Sequence, residues 1–161
     1  MKSWIPSRPD VWVAALLTML VAGAGGSLTQ IGPWYFALAK PSWQPPDWLF
    51  GPAWTTIFTL TAIAGVLAWR GAAGRGRWLV AAAFALNGVL NIAWSALFFF
   101  LRRPDWALVE VVPLWLSVAG LMLVTARFNR VAPWLLLPYL LWVGFAGVLN
   151  LAIVRLNGPF A

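Results

Sequence analysis

Five apolar stretches account for most of the chain. They run roughly over 11–30, 48–69, 78–101, 106–126 and 133–154, and four of them hold no charged residue; the other holds one, Glu110. Each is long enough to cross a bilayer as a helix, which takes about 20 residues. A barrel strand needs about half that length and an alternating pattern, which these stretches lack. With 62% hydrophobic residues in a chain of 161, a soluble domain of this size has too little interior to hide the apolar surface. The sequence therefore predicts an all-α membrane protein, a bundle of five transmembrane helices, integral and multi-pass.

The formal net charge of +7 does not point to nucleic acid, because the basic residues sit at span ends and in short loops rather than in one patch. They read as topology signals and contacts to lipid headgroups. One face would carry Lys2, Arg8, Arg70, Arg75, Arg77, Arg127 and Arg130, and the other Lys40, Arg102, Arg103 and Arg155. In a bacterial cell membrane that bias puts the N-terminus in the cytoplasm. Lys2, Arg8 and the small-residue run "AGAGG" at 22–26 loosely resemble a signal peptide. The apolar stretch that ends in it is of full membrane length, so a retained first helix is expected. Cysteine and histidine are absent, so a disulfide framework, a metal site and the commonest general base are not expected.

The connections at 71–77, 102–105 and 127–132 are short, which predicts antiparallel neighbours in one domain spanning 1–161. The exception is 31–47. It holds most of the string "KPSWQPPDWLFGPAW", with three tryptophans and four prolines in fifteen residues. Proline fixes φ and lowers the entropy lost on ordering a loop, and tryptophan supplies broad, stiff contact area. Such a loop can lie as a lid over a pocket between helices.

Of the thirteen tryptophans, Trp12, Trp48, Trp69, Trp78, Trp106 and Trp134 fall at span ends and suit the interfacial belt. Trp54, Trp94, Trp115 and Trp142 lie inside spans, where an indole N–H needs a partner, so they are expected to face the bundle interior or a ligand. Asn87 and Asn91 share one face of the third span with Trp94 and Phe98, and either asparagine can serve an interhelical hydrogen bond. Glu110 lies about one turn inside its span, where an ionisable side chain is a functional candidate or can snorkel to the interface. It lacks the partner of a proton relay, such as a buried histidine or a second carboxylate, so a structural role with Arg102 or Arg103 nearby is expected over proton transport. Trp54 and Phe58 share a face of the second span, and Pro138, Trp142, Phe145, Ala146 and Leu149 form a stripe on the fifth, with Gly147 beside it. Together they suggest a flat slot with walls from Trp54, Phe58 and Trp142, small residues as its floor and Asn87 as a polar contact, suited to a planar apolar ligand. Ala81, Ala82, Ala83, Ala85 and Gly88 offer a small-residue face for dimerisation.

The strings "WYFALAKPSWQPPDWLFGPAW" at 34–54, "ALNGVLNIAWSALFF" at 85–99, "ALVEVVPLWL" at 107–116 and "PYLLWVGFAGVLNLAIVRLN" at 138–157 resemble the TspO/MBR family, the tryptophan-rich sensory proteins and translocator proteins. The resemblance implies a five-helix membrane bundle, often a homodimer in bacteria, that binds porphyrins such as protoporphyrin IX as ligand, with no cofactor required and membrane lipid around it. By motif, Trp54 and Trp142 match the pocket tryptophans tied to porphyrin binding and to light-dependent porphyrin breakdown. Tyr35, Phe58, Asn87 and Ala146 match ligand-lining positions, and Pro41, Trp43, Pro45 and Pro46 match the covering loop. Leu151 stands where animal members carry the tyrosine of a sterol motif ahead of Arg155, so cholesterol recognition does not carry over. A receptor or sensor regulating tetrapyrrole metabolism or stress responses is the expectation. A transporter of porphyrin and a light- and oxygen-dependent porphyrin-degrading protein are the alternatives, although no paired carboxylate, histidine or cysteine supports ordinary acid–base or nucleophilic catalysis.

Overall fold

The computed structural model describes residues 8–160. Among these described residues, five helices are long and apolar enough to cross a membrane. They are α1 (Pro9–Leu28), α3 (Asp47–Gly71), α4 (Arg75–Ser95, continued by a π-helical segment, Ala96–Phe100), α5 (Pro104–Ala126) and α6 (Ala132–Asn157). The long connection also contains a short helix, α2 (Pro33–Ala37). Prolines at the start of α1, α2, α5 and α6 suit the first helical turn, where the missing N–H is not needed.

The helices close into a ring in which α1 packs on α3, α3 on α6, α6 on α5, α5 on α4 and α4 back on α1. The short loops predict neighbours, and α4–α5 and α5–α6 are the most extensive pairs. The α3–α4 hairpin packs far less, because α1 contacts both of these helices. Asp10 at the start of α1 pairs with Arg70 at the end of α3, which fixes their antiparallel sense. The bundle's outer face is apolar, with Trp12, Met19 and Leu123 about 70% exposed or more; for a five-span protein that face is the lipid contact.

The two membrane halves differ. Toward the α3–α4 and α5–α6 turns the interior is filled by Ala64, Leu121, Ala132 and Leu136, all fully buried. The turns themselves touch there: a Cβ on Gly71 would lie 2.1 Å from the carbonyl oxygen of Phe128, so only glycine fits. In the other half bulky side chains replace the small ones, and a cavity opens beneath the long connection.

The small-residue stripe expected for dimerisation is divided. Ala81, Ala82 and Ala85 are exposed, whereas Gly88 is buried and faces α1, where its Cβ would meet Val21 at 3.1 Å. Trp115 does not face the interior as expected. It is 39% exposed, and its indole lies over Gly144 of α6. Gly147 likewise faces Val111 of α5, so both glycines serve helix packing.

Candidate functional site

The cavity has a volume of ≈ 360 Å³, within the range of small-molecule sites. Every spanning helix contributes to it. On α3, Phe50, Trp54 and Phe58 lie at successive i,i+4 positions and form one wall. Trp54 stacks on Phe58 with ring centroids 5.3 Å apart and meets Tyr139 edge-on at 6.0 Å. On α6, Trp142 and Ala146 form the facing wall, and Phe50 braces Trp142 edge-on at 5.6 Å. Trp94 and Phe99 at the end of α4 close a third side. The π-helical segment carries Phe98 and Phe99, and Phe98 stacks under Trp94 at 5.2 Å.

The remaining side belongs to α1. Ala22, Gly25 and Gly26 line the cavity, and their lack of bulk leaves the space open. The sequence reading did not assign this wall, although "AGAGG" at 22–26 was its visible signal. Phe50 and Asp47 were also missed. The first continues the Trp54–Phe58 stripe by one turn, and the second is the first residue of α3.

Among the sequence-predicted residues, Tyr35, Trp54, Phe58, Trp142 and Ala146 line the cavity, and Asn87, Trp43 and Phe145 do not. Asn87 is spent within the protein. Asn91 Nδ2 donates to the Tyr139 hydroxyl at 3.0 Å, the hydroxyl donates to Asn87 Oδ1 at 3.2 Å, and Asn87 Nδ2 donates to Ser117 Oγ at 2.9 Å. This buried chain ties α4 to α6 and α5. The asparagine that reaches the cavity is Asn91, one turn along. Trp43 instead packs edge-on against Phe145 at 6.0 Å, and it shares an outer groove with Pro41, Leu151 and Arg155.

The long connection closes the mouth through Ile31 and Tyr35. Tyr35 is buried among Phe98, Ala107, Leu149 and Ile153, its hydroxyl donates to Asp47 Oδ1 at 2.9 Å, and Lys40 Nζ sits 4.1 Å above its ring. Burial first, then the Asp47 carboxylate, push the Tyr35 phenol up to about 12. Gln44 Nε2 bridges Tyr35 and Asp47, at 3.3 Å from each. Pro45 and Pro46 lead directly into α3 and do not line the cavity. Farther along, Asn157 at the end of α6 clamps the loop backbone. Ala39 N donates to Asn157 Oδ1 at 2.7 Å, and Asn157 Nδ2 donates to the Ala39 carbonyl at 2.8 Å.

The ion pair expected for Glu110 does not form. Arg103 pairs with Asp105, two residues along, because a contact that close in sequence requires little ordering of the chain. Apart from Asp47 and Tyr35, no cavity-lining residue carries an ionisable group. The site is therefore a binding surface of flat aromatic walls with very few polar atoms.

The TspO/MBR family model matches residues 13–156. The chain is 42% identical to the tryptophan-rich protein TspO of Chlorobaculum tepidum, covering 88% of this chain and 91% of that one. It is 35% identical to the tryptophan-rich sensory protein of Cereibacter sphaeroides, covering 91% and 92%. With the translocator protein of Sus scrofa it shares 34% identity, covering 91% of each.

Proposed function

The chain belongs to the TspO/MBR family of integral, multi-pass membrane proteins, and on that premise we propose that it is a receptor for porphyrins of the protoporphyrin IX type. In this reading the macrocycle lies between Trp54 and Phe58 on one side and Trp142 and Ala146 on the other, under Tyr35, and its occupancy is the signal in tetrapyrrole metabolism or a stress response. The observation that carries the reading is the cavity itself, an aromatic-walled slot with few polar atoms, because a planar conjugated ligand gains most from offset and edge-on contact with aromatic rings. A receptor is favoured over a transporter because Ala64, Leu121 and Leu136 fill the interior of the opposite membrane half.

The test is a titration of protoporphyrin IX into the purified protein in detergent, in the dark, followed by tryptophan quenching. Ala146→Leu projects extra bulk into the slot and is expected to weaken binding about tenfold or more, equivalent to about 1.4 kcal/mol. A Trp54→Phe, Trp142→Phe double variant should weaken it as well. Equal quenching in all three proteins would mean that the porphyrin partitions into micelles, and the reading would fail.

A further inference from the structure

Glu110 is the chain's only glutamate. Both of its carboxyl oxygens are buried, and neither has a hydrogen-bond partner among the described residues. Trp94 Nε1 is buried and unpartnered in the same way. Helix phase puts the two on facing stripes of α4 and α5. The antiparallel helices α4 and α5 are pinned by the Asn87–Ser117 hydrogen bond. Trp94 lies seven residues beyond Asn87, and Glu110 seven residues before Ser117, so both return to the same facing stripe two turns farther on. An acceptor lacking donors and a donor lacking an acceptor therefore occupy one level of one interface. That level is the cavity's, since Trp94 and Val111 line it.

We propose that Glu110 is a proton-binding site within the membrane, separated from the cavity by the Trp94 ring, and that the proton it holds is linked to occupancy of the cavity. An ionised carboxylate in an apolar interior requires several donors or a counter-charge, and among the described residues this level supplies no counter-charge and one free donor, the Trp94 indole. On α4 the facing polar groups are Asn87, Asn91 and Trp94, none of which titrates, and Arg75 and Arg77 lie at that helix's opposite end. On α6 they are Tyr139, already bonded to both asparagines, and exposed Arg155, beyond Asn150 toward the end of the helix. At the start of α5 Arg103 and Asp105 are paired with each other, and Arg102 is exposed in the turn before it. On α3 Asp47 is held by Tyr35 and Gln44 at the mouth, and Arg70 lies at the other end. The π-helical segment has no ionisable residue. The ionised form can gain solvation only from water entering through the cavity, past Trp94. An apolar ligand excludes that water, so the occupied protein keeps the proton to higher pH than the empty one. By linkage, affinity for the ligand is level at low pH and falls as pH rises, by at most about tenfold per pH unit for one proton.

The linkage rests on the porphyrin reading of the cavity, and two measurements separate the proposals. Glutamate labelled with carbon-13 at the side-chain carboxyl gives one assignable infrared band, because Glu110 is the only glutamate. The purified protein, without ligand, is expected to show the protonated carboxyl stretch at neutral pH. The carboxylate bands alone would overturn the proton site, whether or not the cavity binds porphyrin. For the linkage the probe is protoporphyrin IX dimethyl ester, which lacks the free acid's titrating propionates, titrated between about pH 6 and 9, a window that clears ordinary carboxylates. Its affinity should fall across that window in the wild type and in Asp47→Asn, and stay level in Glu110→Gln. A level wild-type profile, or one that falls equally in Glu110→Gln, would overturn the linkage. An ester that does not bind at all would sink the porphyrin reading and the linkage with it, leaving the infrared result to stand alone.

Discussion

Replacing Tyr139 with phenylalanine tests whether the buried Asn91–Tyr139–Asn87–Ser117 chain holds the bundle or serves the ligand. The substitution keeps the ring, including its edge-on contact with Trp54 at 6.0 Å, and removes only the hydroxyl. Two hydrogen bonds go with it, at 3.0 and 3.2 Å. Inside membranes such bonds average about 0.6 kcal/mol and reach about 1.7. A buried amide group left without its partner costs roughly 1–3 kcal/mol. The combined loss is therefore about 1–3 kcal/mol by these scales. For a chain of this length each kcal/mol moves the midpoint by roughly 2–4 °C, so a melt in detergent followed by tryptophan fluorescence should shift down by roughly 2–12 °C. Porphyrin affinity of the folded protein should be unchanged, because Tyr139 does not line the cavity. Exchanging both asparagines for leucine in the Tyr139→Phe background should recover part of the loss, since an apolar trio leaves no polar group orphaned. An unchanged midpoint for Tyr139→Phe, or a loss of porphyrin affinity with the midpoint intact, would refute the structural role argued for the chain.

The mouth of the cavity yields two further expectations. A folded phenol that holds its proton to higher pH than an unfolded one contributes fully below about pH 10, and that contribution is lost as pH rises toward about 12. The phenolate absorbance that disappears in Tyr35→Phe should therefore appear late in the wild type and earlier in Asp47→Asn; no change in Asp47→Asn would show that the carboxylate does not act on Tyr35. Asn157→Ala removes both hydrogen bonds to Ala39 and frees the loop at its α6 anchor, so stopped-flow dissociation of bound protoporphyrin IX should accelerate about tenfold if roughly 1.4 kcal/mol of loop closure is lost. An unaltered rate would mean that release does not require the loop to open.

The spans were legible in the sequence because run length and the absence of charge are properties of single segments, and lipid leaves a polar backbone few alternatives. The aromatic walls followed from phase: Trp54 with Phe58, and Trp142 with Ala146, lie at spacings that force a shared face, and the structure puts all four in the cavity. Phase could not choose between Asn87 and Asn91, because residues four apart share a stripe, and which one meets Ser117 depends on the height at which α5 docks. Nor could it place Trp115, whose outward direction is set by the close approach of α5 to Gly144. Glu110 is the sharpest case. The sequence offered Arg102 and Arg103 as partners, and the structure gives Arg103 to Asp105, because the start of α5 places that pair within one turn. A carboxyl stranded in this way has no packing reason to be there, since an alanine or leucine would fill the same interface without a desolvation cost. Partner choice among polar residues depends on rotation and register between helices, which no one span encodes. It is in those pairings, more than in the apolar walls, that this chain's particular chemistry lies.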